Sequence, residues 1–385
     1  MGAALGVRHS QGIFLVPITM AHEWSRESFA LAIAVQNLVW GLAQPFTGMI
    51  ADRYGSGRVI VGGLVLYAAG LVLMAQATTP VTFTLSAGVC IGVALSGTSF
   101  GVVYGALSRI FPPERRAWAL GVSGAIGGLG QFLLVPATQT MISGLGWAGA
   151  LVALAFACAL LLPCALPLRE PATTASAPGQ PAQQSLRAAL REAFGHRGFW
   201  LLNLGFLACG FQLAFIATHL PAYLSDQGLS ANHAVAGLAT IALANVAGIY
   251  CCGHLGGLYR RKYLLSGLYL IRAAAMALFV LLPLSPASLY LFCAVMGFLW
   301  LGTVPLTNGL LAQIFGVRYL TTLFGFVFLG HQLGSFLGVW LGGALFDATG
   351  SYGLIWTIGI ALGVISAVLH YPVDDRELVR AAAAA

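Results

Sequence analysis

The chain has 385 residues, of which 59% are apolar and only 8% are charged, with a formal net charge of +7 and a mean hydropathy of +0.88. A soluble domain carries about 25% charged residues because its surface must face water. The composition therefore excludes a soluble enzyme and a soluble nucleic-acid binder, and it predicts a protein whose surface faces lipid.

Apolar segments long enough to cross a bilayer recur along the chain. A membrane helix needs about 20 mostly apolar residues, and cutting the sequence at charges, proline–glycine clusters and polar loops gives twelve such segments. We place them at 1–22, 28–50, 58–77, 81–108, 117–143, 147–167, 199–224, 233–256, 262–282, 287–314, 319–345 and 353–371. Runs of this length fit helices rather than barrel strands. The sequence thus predicts an all-α membrane protein with twelve transmembrane helices.

One long polar stretch separates the sixth segment from the seventh. It contains PATTASAPGQPAQQS, a composition typical of a flexible linker, and then LRAALREAF, which predicts a short helix on the membrane surface. The predicted organisation is an N-terminal six-helix bundle at 1–168, a cytoplasmic linker at 169–197 and a C-terminal six-helix bundle at 198–385.

The distribution of positive charge predicts the orientation. Of the 18 lysines and arginines, 15 lie in the even-numbered loops and the C-terminal tail, whereas the odd-numbered loops contain only Arg26. Cytoplasmic loops are the ones enriched in lysine and arginine. We therefore expect a multi-pass inner-membrane protein with both termini in the cytoplasm, whose net charge reflects topology and not a nucleic-acid partner.

The two halves of the sequence resemble each other. Gly48 and Tyr54 recur 205 positions later as Gly253 and Tyr259. At an offset of 204, the residues Gly121, Leu129, Gly130, Phe132 and Leu133 recur as Gly325, Leu333, Gly334, Phe336 and Leu337. At an offset of 201, Gln11 and Phe14 recur as Gln212 and Phe215. A nearly constant offset at equivalent helices predicts a parallel six-helix repeat.

The segment GMIADRYGSGR resembles the loop 2–3 signature of the major facilitator superfamily. The twelve segments, the central linker and the repeat extend this resemblance over the whole chain. GVRHSQGIFLVPIT, WSRESFALAIAVQNLVWGLAQPFTG and CGFQLAFIATHLPAYL are similar to the bacterial branch related to monocarboxylate transporters. The resemblance implies the major facilitator fold and a cytoplasmic gate, in which Asp52 and the neighbouring arginines form a charge lock. The gate residues it implies are Gly48, Asp52, Arg53, Gly55 and Arg58.

The sequence also departs from that family's patterns in two places. The repeat of the loop signature, GHLGGLYRRK, lacks the Asp-Arg pair. The Gly-Pro motif of drug–proton antiporters is not present in the fifth segment, where GVSGAIGGLGQFLLVP places its proline at Pro136.

Ionisable residues in the predicted membrane interior are basic. All eleven acidic residues lie in loops or at helix ends, whereas the interior segments contain Arg8, His9, Arg272 and His331, with His219 nearer a helix end. A cation in a low-dielectric interior needs a counter-charge. We therefore expect the substrate to be an anion.

Arg8 and Arg272 are the candidates for contact with such an anion. Arg8 lies about 20 Å from the outer end of its helix at 1.5 Å per residue, and a guanidinium binds a carboxylate through two parallel hydrogen bonds. Its alternative role is snorkelling to the headgroups. Arg272 lies near the predicted midplane, where it either contacts substrate or pairs with backbone carbonyls and polar groups of the eighth helix.

Two histidines are candidates for proton coupling. A histidine side chain ordinarily titrates near neutral pH, so His331 would carry the proton, unless it is a neutral histidine that joins helices. His219 lies near a helix end, which favours a role in a gate or loop.

The remaining candidates are polar, small or aromatic residues that either line a binding site or hold helices together. They are Gln11, Gly12 and Leu15, Gln36 and Trp40, Tyr104, Gln131, Gln212 and Phe215, Asn245, and Trp300 and Thr303.

These features predict a secondary active transporter that moves small organic anions, monocarboxylates in particular, by alternating access, with proton symport as an option. The alternative is an efflux carrier for neutral or amphipathic molecules; the absent interior carboxylate and Gly-Pro motif count against it. A channel or a membrane enzyme is a third class, but no catalytic, metal-binding or nucleotide-binding motif is found. We expect no cofactor, no metal and a monomer whose partners are the anion, a proton and the lipid bilayer.

Overall fold

The computed structural model describes the backbone of residues 1–110, 113–165, 185–316 and 320–378. The described side chains exclude those of residues 49, 52, 53, 104, 105, 108, 109, 113–121, 125, 186, 320 and 321. Most of the linker predicted at 169–197 lies outside the described residues, but its last part forms the predicted short helix.

The described residues form helices and turns, with no β-strand among them. A π-helix, Thr84–Cys90, and two 3-10 turns, Gln11–Phe14 and Leu162–Ala165, interrupt or follow the α-helices. The α-helices are α1 (Gly2–Ser10), α2 (Leu15–His22), α3 (Arg26–Tyr54), α4 (Ser56–Ala75), α5 (Pro80–Phe83), α6 (Ile91–Thr98), α7 (Phe100–Ile110), α8 (Pro113–Leu160), α9 (Leu186–Gly195), α10 (Arg197–Asp226), α11 (Ala231–Leu258), α12 (Arg261–Leu281), α13 (Pro286–Phe298), α14 (Thr303–Phe315), α15 (Leu320–Thr349) and α16 (Gly353–His370).

The number of membrane crossings is consistent with the twelve predicted segments. In the described part of the chain, ten helical stretches are long and apolar enough to cross a bilayer. One of them, Val122–Ala165, has 44 residues, about twice the length one crossing needs, and it changes direction at Gly146, whose φ is +73°. The stretch 2–22, counted together with two crossings in Val122–Ala165, would bring the number to the predicted twelve. The prediction of an all-α membrane protein is confirmed.

The first segment differs from the continuous helix that its sequence predicted. The 3-10 turn Gln11–Phe14 separates α1 from α2, and a 3-10 turn has 3.0 residues per turn instead of 3.6. The local cause is close packing, because a Cβ at Gly12 would overlap the backbone oxygen of Ala217 in α10. The first span therefore changes pitch in its middle.

Equivalent helices of the two halves begin in the same way. Thr79 and Thr82 form a capping box at the start of α5, and Ser285 and Ser288 form one at the start of α13, each with a proline in the first turn. In a capping box the two side chains bond the backbone N–H groups that the helix leaves free. The two boxes are 206 positions apart, and they support the predicted repeat.

A close helix contact is also repeated. A Cβ at Gly92 would lie 2.8 Å from the backbone oxygen of Gln36, and a Cβ at Gly297 would lie 2.5 Å from that of Ile241. Both glycines and both partners are 205 positions apart. Small residues permit such backbone approach between membrane helices, so each half uses the same pair of helices in the same contact.

Helices of the two halves pack along each other. The helix α3 runs along α15, and α8 runs along α11. We call the face of the molecule at which α3 begins the Arg26 end, and the face at which it ends the Gly55 end.

The chain after α16 is held to the Gly55 end by Asp375. Its carboxylate accepts hydrogen bonds from Arg260 Nε at 3.0 Å and Nη2 at 2.5 Å, and Lys262 Nζ lies 3.9 Å away. The hydrogen bonds from Arg260, together with the charges of Arg260 and Lys262, lower the pKa of Asp375 below its ordinary value.

This contact should make stability depend on acid pH. A carboxylate whose pKa is lowered by folding stabilises the folded state above its unfolded pKa, about 3.9, and loses that contribution as pH falls through its folded value. We expect the Asp375→Asn variant to melt at a lower temperature than the parent at pH 6, with the difference shrinking below about pH 4. Thermal melts of the two proteins in detergent check this, and a constant difference from pH 6 to pH 3 would contradict it.

Candidate functional site

Arg8 lies where the first span meets α3. Its Nη2 group donates to Asn37 Oδ1 at 2.6 Å, and its guanidinium carbon lies 5.0 Å from the centre of the Trp40 ring. The Nε atom is buried and has no hydrogen-bond partner among the described residues. None of the ion pairs formed by the described side chains includes Arg8. Among the described residues, the contacts of this cation are therefore with the neutral Asn37 and Trp40.

Hydrogen bonds continue from Arg8 into the other half of the molecule. The backbone oxygen of Asn37 accepts a hydrogen bond from Gln332 Nε2 in α15 at 3.1 Å. Gln332 Oε1 in turn lies 2.9 Å from His331 Nδ1, which must be the donor because a carbonyl oxygen only accepts. Arg8 and His331, the predicted anion-binding and proton-carrying residues, are therefore joined by two amides. We call Arg8, Asn37, Trp40, His331 and Gln332 the central polar site.

Within the central polar site, the Trp40 ring lies beside Arg8 and is held there by its own contacts. Its Nε1 group donates to Gln44 Oε1 at 2.9 Å and to Ser99 Oγ at 3.1 Å, and its ring meets the edge of Phe328 at 5.2 Å. These contacts fix the ring next to Arg8. A guanidinium beside an aromatic face keeps its in-plane N–H groups available for other partners.

The two halves meet through charged groups at the Arg26 end. The Arg26 guanidinium donates to both carboxylate oxygens of Asp226, at 2.6 and 2.7 Å, and also to Tyr352 at 3.1 Å. The backbone N–H of Glu27 donates to Asp347 at 2.8 Å. We call Arg26, Glu27, Asp226, Asp347 and Tyr352 the Arg26 seal. It joins the start of α3 to helices of the C-terminal half.

His219 contacts the Arg26 seal from inside the C-terminal half. Its Nε2 atom donates to the backbone oxygen of Val339 at 2.8 Å, so Nδ1 accepts from the Tyr352 hydroxyl at 3.2 Å. Since Tyr352 is also bonded to Arg26, this arrangement supports the interpretation of His219 as part of a gate.

Arg272 is fully buried inside the C-terminal half. Its Nη2 group donates to the backbone oxygens of Leu299 and Trp300, and Nη1 lies 3.2 Å from Cys209 Sγ. The two carbonyls lie at the break between α13 and α14, where a helix end leaves acceptors without partners. Of the two roles that the sequence left open, this geometry supports pairing with backbone carbonyls.

Several other candidates also pack within one half. Gln36 donates to the Ala87 oxygen at 2.6 Å, Gln212 donates to the Gly359 oxygen at 2.9 Å, and Asn245 accepts from the Leu301 N–H at 3.0 Å. Others with neighbours in their own half are Thr303, which lies 3.3 Å from Cys209, and Phe215, which meets Trp356 edge to face.

The remaining candidates lie in the core or between the halves. Leu15 is fully buried, and Gly12 packs on α10. Trp300 meets the edge of His9 at 6.0 Å across the two halves. Gln11 and Gln131 are buried, with both amide atoms of Gln11 and the amide oxygen of Gln131 lacking partners among the described residues. The side chain of Tyr104 lies outside the described residues.

Two residues of the predicted gate, Asp52 and Arg53, have side chains outside the described residues. Gly55 has a φ of +93° and ends α3, a conformation that favours glycine. Arg58 is exposed in the first turn of α4, and a Cβ at Gly48 would meet nothing within 4 Å. The positive φ therefore explains why a glycine stands at position 55. The charge lock between Asp52 and the neighbouring arginines stays a prediction.

Three residues that join the halves do not belong to the site predicted from the sequence, although His9 was recognised as a basic residue of the interior. Asn37 and Gln332 belong to the central polar site, and His9 Nε2 contacts the backbone oxygen of Leu238 at 3.1 Å. A neutral amide beside a predicted site residue gives little signal in a sequence. Asn37 nevertheless follows Gln36 directly, and Gln332 follows His331.

Comparisons with known proteins extend these observations. The family model described as "Major Facilitator Superfamily" matches residues 4–322. The "Uncharacterized MFS-type transporter YcxA" of Bacillus subtilis is 25% identical over 96% of this chain and 92% of its own length. "Monocarboxylate transporter 11" of Mus musculus is 28% identical over 91% of this chain and 80% of its own length.

A solved structure has the same fold. It is a bacterial homologue of the human lysosomal transporter Spinster, in an inward-facing and unoccupied conformation, with a TM-score of 0.73 at 17% identity over 96% of this chain and 91% of that one. Helix content, membrane spans, the matched family model and this structural likeness all agree. The chain is a member of the major facilitator superfamily of transporters.

Proposed function

We propose that this transporter moves small organic anions, monocarboxylates in particular, by alternating access. The observation that carries the proposal is the environment of Arg8, whose polar partner is the neutral Asn37 and which belongs to no described ion pair. A cation in a membrane protein is stable when an anion or a polar partner compensates it. A substrate carboxylate between the halves would supply that charge.

Two further observations support this substrate class. Relatives that span most of the chain carry the name monocarboxylate transporter, among them proteins of mouse and rat. The acidic side chains of the Arg26 seal lie at helix ends, so they do not compensate Arg8. A transporter of cations would need an acidic group at that depth.

We also propose how the halves alternate. The Arg26 seal holds the halves together at one face and the contact of Gly12 with α10 holds them together deeper in the molecule, whereas a Cβ at Gly48, near the other end, would meet nothing within 4 Å. By the positive-inside rule the Gly55 end faces the cytoplasm, so the protein would be a multi-pass inner-membrane monomer with both termini inside and its substrate path open inward. The Spinster homologue described above was solved in an inward-facing conformation.

Proton symport would fit the same site. His331 is joined to Arg8 through Gln332 and Asn37, and protonation of its other nitrogen would leave the Nδ1 hydrogen bond intact. An anion and a proton that cross together avoid moving net charge through the membrane. His219 would then act in the seal and not as the proton carrier.

The experiment is a ligand panel on the purified protein in detergent or nanodiscs. We expect lactate and pyruvate to raise the melting temperature, while amines of similar size and neutral sugars do not, because only an anion gains charge-assisted hydrogen bonds from Arg8. A response to amines or sugars with none to the acids would contradict the proposal and favour the neutral or amphipathic efflux function.

A further inference from the structure

We propose that Asn37 sets the charge selectivity of the central polar site, because it is the neutral group that orients Arg8 without cancelling its charge. This inference rests on the proposed anion transport and assigns a specificity-determining role to a residue that does not belong to any charged or catalytic motif.

The orientation of the Asn37 amide is fixed at both ends. The side chain is 1% exposed, and its Nδ2 group donates to the backbone oxygen of Ile33 at 2.8 Å, one turn earlier in α3. Only the NH₂ side of an amide can donate to a carbonyl. Its Oδ1 atom must therefore face the Arg8 Nη2 group, which lies 2.6 Å away.

This contact uses one of the five N–H donors of the guanidinium. The Nη2 group retains a second N–H, and Nε is buried without a partner among the described residues. An oxyanion placed along the Nε–Nη2 edge would receive two parallel hydrogen bonds, the strongest arrangement that arginine offers. Trp40 contacts the guanidinium through its ring, whose centre lies 5.0 Å from the guanidinium carbon, and it is not a hydrogen-bond partner of Nε or Nη2.

A neutral partner is what makes the site selective. An amide contributes a hydrogen bond but no charge, so Arg8 keeps its full attraction for an anionic ligand. An aspartate at the same position would bond Arg8 and cancel its charge. The ligand carboxylate would then face an ion pair, and its affinity would fall because specificity depends on the difference between favourable and repulsive contacts.

The neighbouring amide on the same helix cannot perform this role. Gln36 is buried too, but its Nε2 group donates to the Ala87 oxygen of the π-helix inside the N-terminal half. The contact with Arg8 is therefore particular to position 37. The backbone oxygen of Asn37 also accepts a hydrogen bond from Gln332. The residue that orients Arg8 therefore lies at the contact between α3 and α15.

The test is the variant Asn37→Asp, measured by lactate and lactamide binding to the purified full-length protein. Lactamide has the size of lactate without its charge. We expect the affinity for lactate to fall by about 30-fold or more, while that for lactamide changes by less than about threefold. A purely structural role for Asn37 would weaken both ligands alike.

The matched control is Asn203→Asp in α10. Asn203 Nδ2 also donates to a backbone oxygen, that of Phe326 at 3.1 Å, so the same chemical change is made at a helix contact away from Arg8. We expect lactate binding by this variant to match the parent. An equal loss in both variants would overturn the inference.

A second variant keeps the inference testable if Asn37→Asp does not fold. Asn37→Ala removes the orienting oxygen but adds no charge, so lactate affinity should fall by about 10-fold while lactamide affinity changes by less than about threefold, and a reduced preference for lactate remains. Equal losses for the two ligands would indicate a structural role only. Loss of that preference, or unchanged lactate binding by Asn37→Asp, would overturn the role of Asn37 while the proposed function stands. A parent protein that binds neither lactate nor pyruvate would overturn both.

Discussion

The Arg8→Gln variant should lose about 99% of lactate uptake while remaining folded. A charge-assisted, two-bond contact between guanidinium and carboxylate exceeds a neutral amide contact by about 3 kcal/mol in a site shielded from water, which is roughly 100-fold in rate or affinity. The fold should tolerate the change, because Arg8 is half-buried and its polar partner, Asn37, retains the bond to Ile33. Uptake of labelled lactate into proteoliposomes, together with a thermal melt, measures both effects.

Arg8→Lys separates charge from geometry. Lysine keeps the positive charge but presents a point charge in place of a planar fork, so uptake should fall by only about 10-fold. Full uptake by the glutamine variant would remove Arg8 from the transport path and, with it, the observation on which the proposed function depends.

The Arg272→Met variant should have the opposite profile, with a large loss of stability and no selective loss of substrate. Methionine fills much of the same space but leaves the carbonyls of Leu299 and Trp300 without their donor. Each buried acceptor left unpaired costs about 1–3 kcal/mol, so we expect the free energy of unfolding to fall by about 3 kcal/mol or more. Thermal and denaturant melts in detergent measure this.

Arg261→Met is the matched control, because Arg261 begins the same helix and bonds the side chain of Gln313 near the exposed Gly55 end. Its free energy of unfolding should change by about 0.5 kcal/mol or less. If folded Arg272→Met protein showed a raised KM for lactate but an unchanged melting temperature, Arg272 would contact substrate after all.

Arg272 has no basic counterpart at the equivalent position of the N-terminal half. Tyr67 and Tyr269 are both fully buried and 202 positions apart, and the same offset places Gly70 opposite Arg272. Gly70 packs on Ile91 at the end of the π-helix. The first half therefore has a glycine packed against a side chain where the second half has the guanidinium that bonds the break between α13 and α14.

The sequence predicted the parts of the site that involve charge. Arg8 and His331 were found because a basic residue in an apolar run is costly unless it has a function or a partner. Arg272 was found for the same reason, but charge and depth do not tell a ligand contact from a carbonyl contact. That distinction depends on the break between α13 and α14, which no hydrophobic pattern reveals.

The neutral residues of the site depend on tertiary contacts. The candidates Gln36 and Trp40 are four residues apart, a spacing that favours one shared polar face of α3. In the structure Gln36 faces the π-helix, and Asn37, about 100° further around the helix, contacts Arg8. The direction that an amide takes is decided by its neighbours in space, which one sequence without its fold does not supply.

The contact at Gly12 implies that the two halves close in two physically different ways. At Gly12 the backbone of the first span lies against the backbone of α10, and any side chain at this position would push the two helices apart. This closure depends on shape, so it should be indifferent to salt and pH. The bond between Arg26 and Asp226 at the surface is ionic and weakens as ionic strength rises. At high salt concentration we therefore expect the contact between Arg26 and Asp226 to weaken while the contact between Gly12 and α10 stays closed.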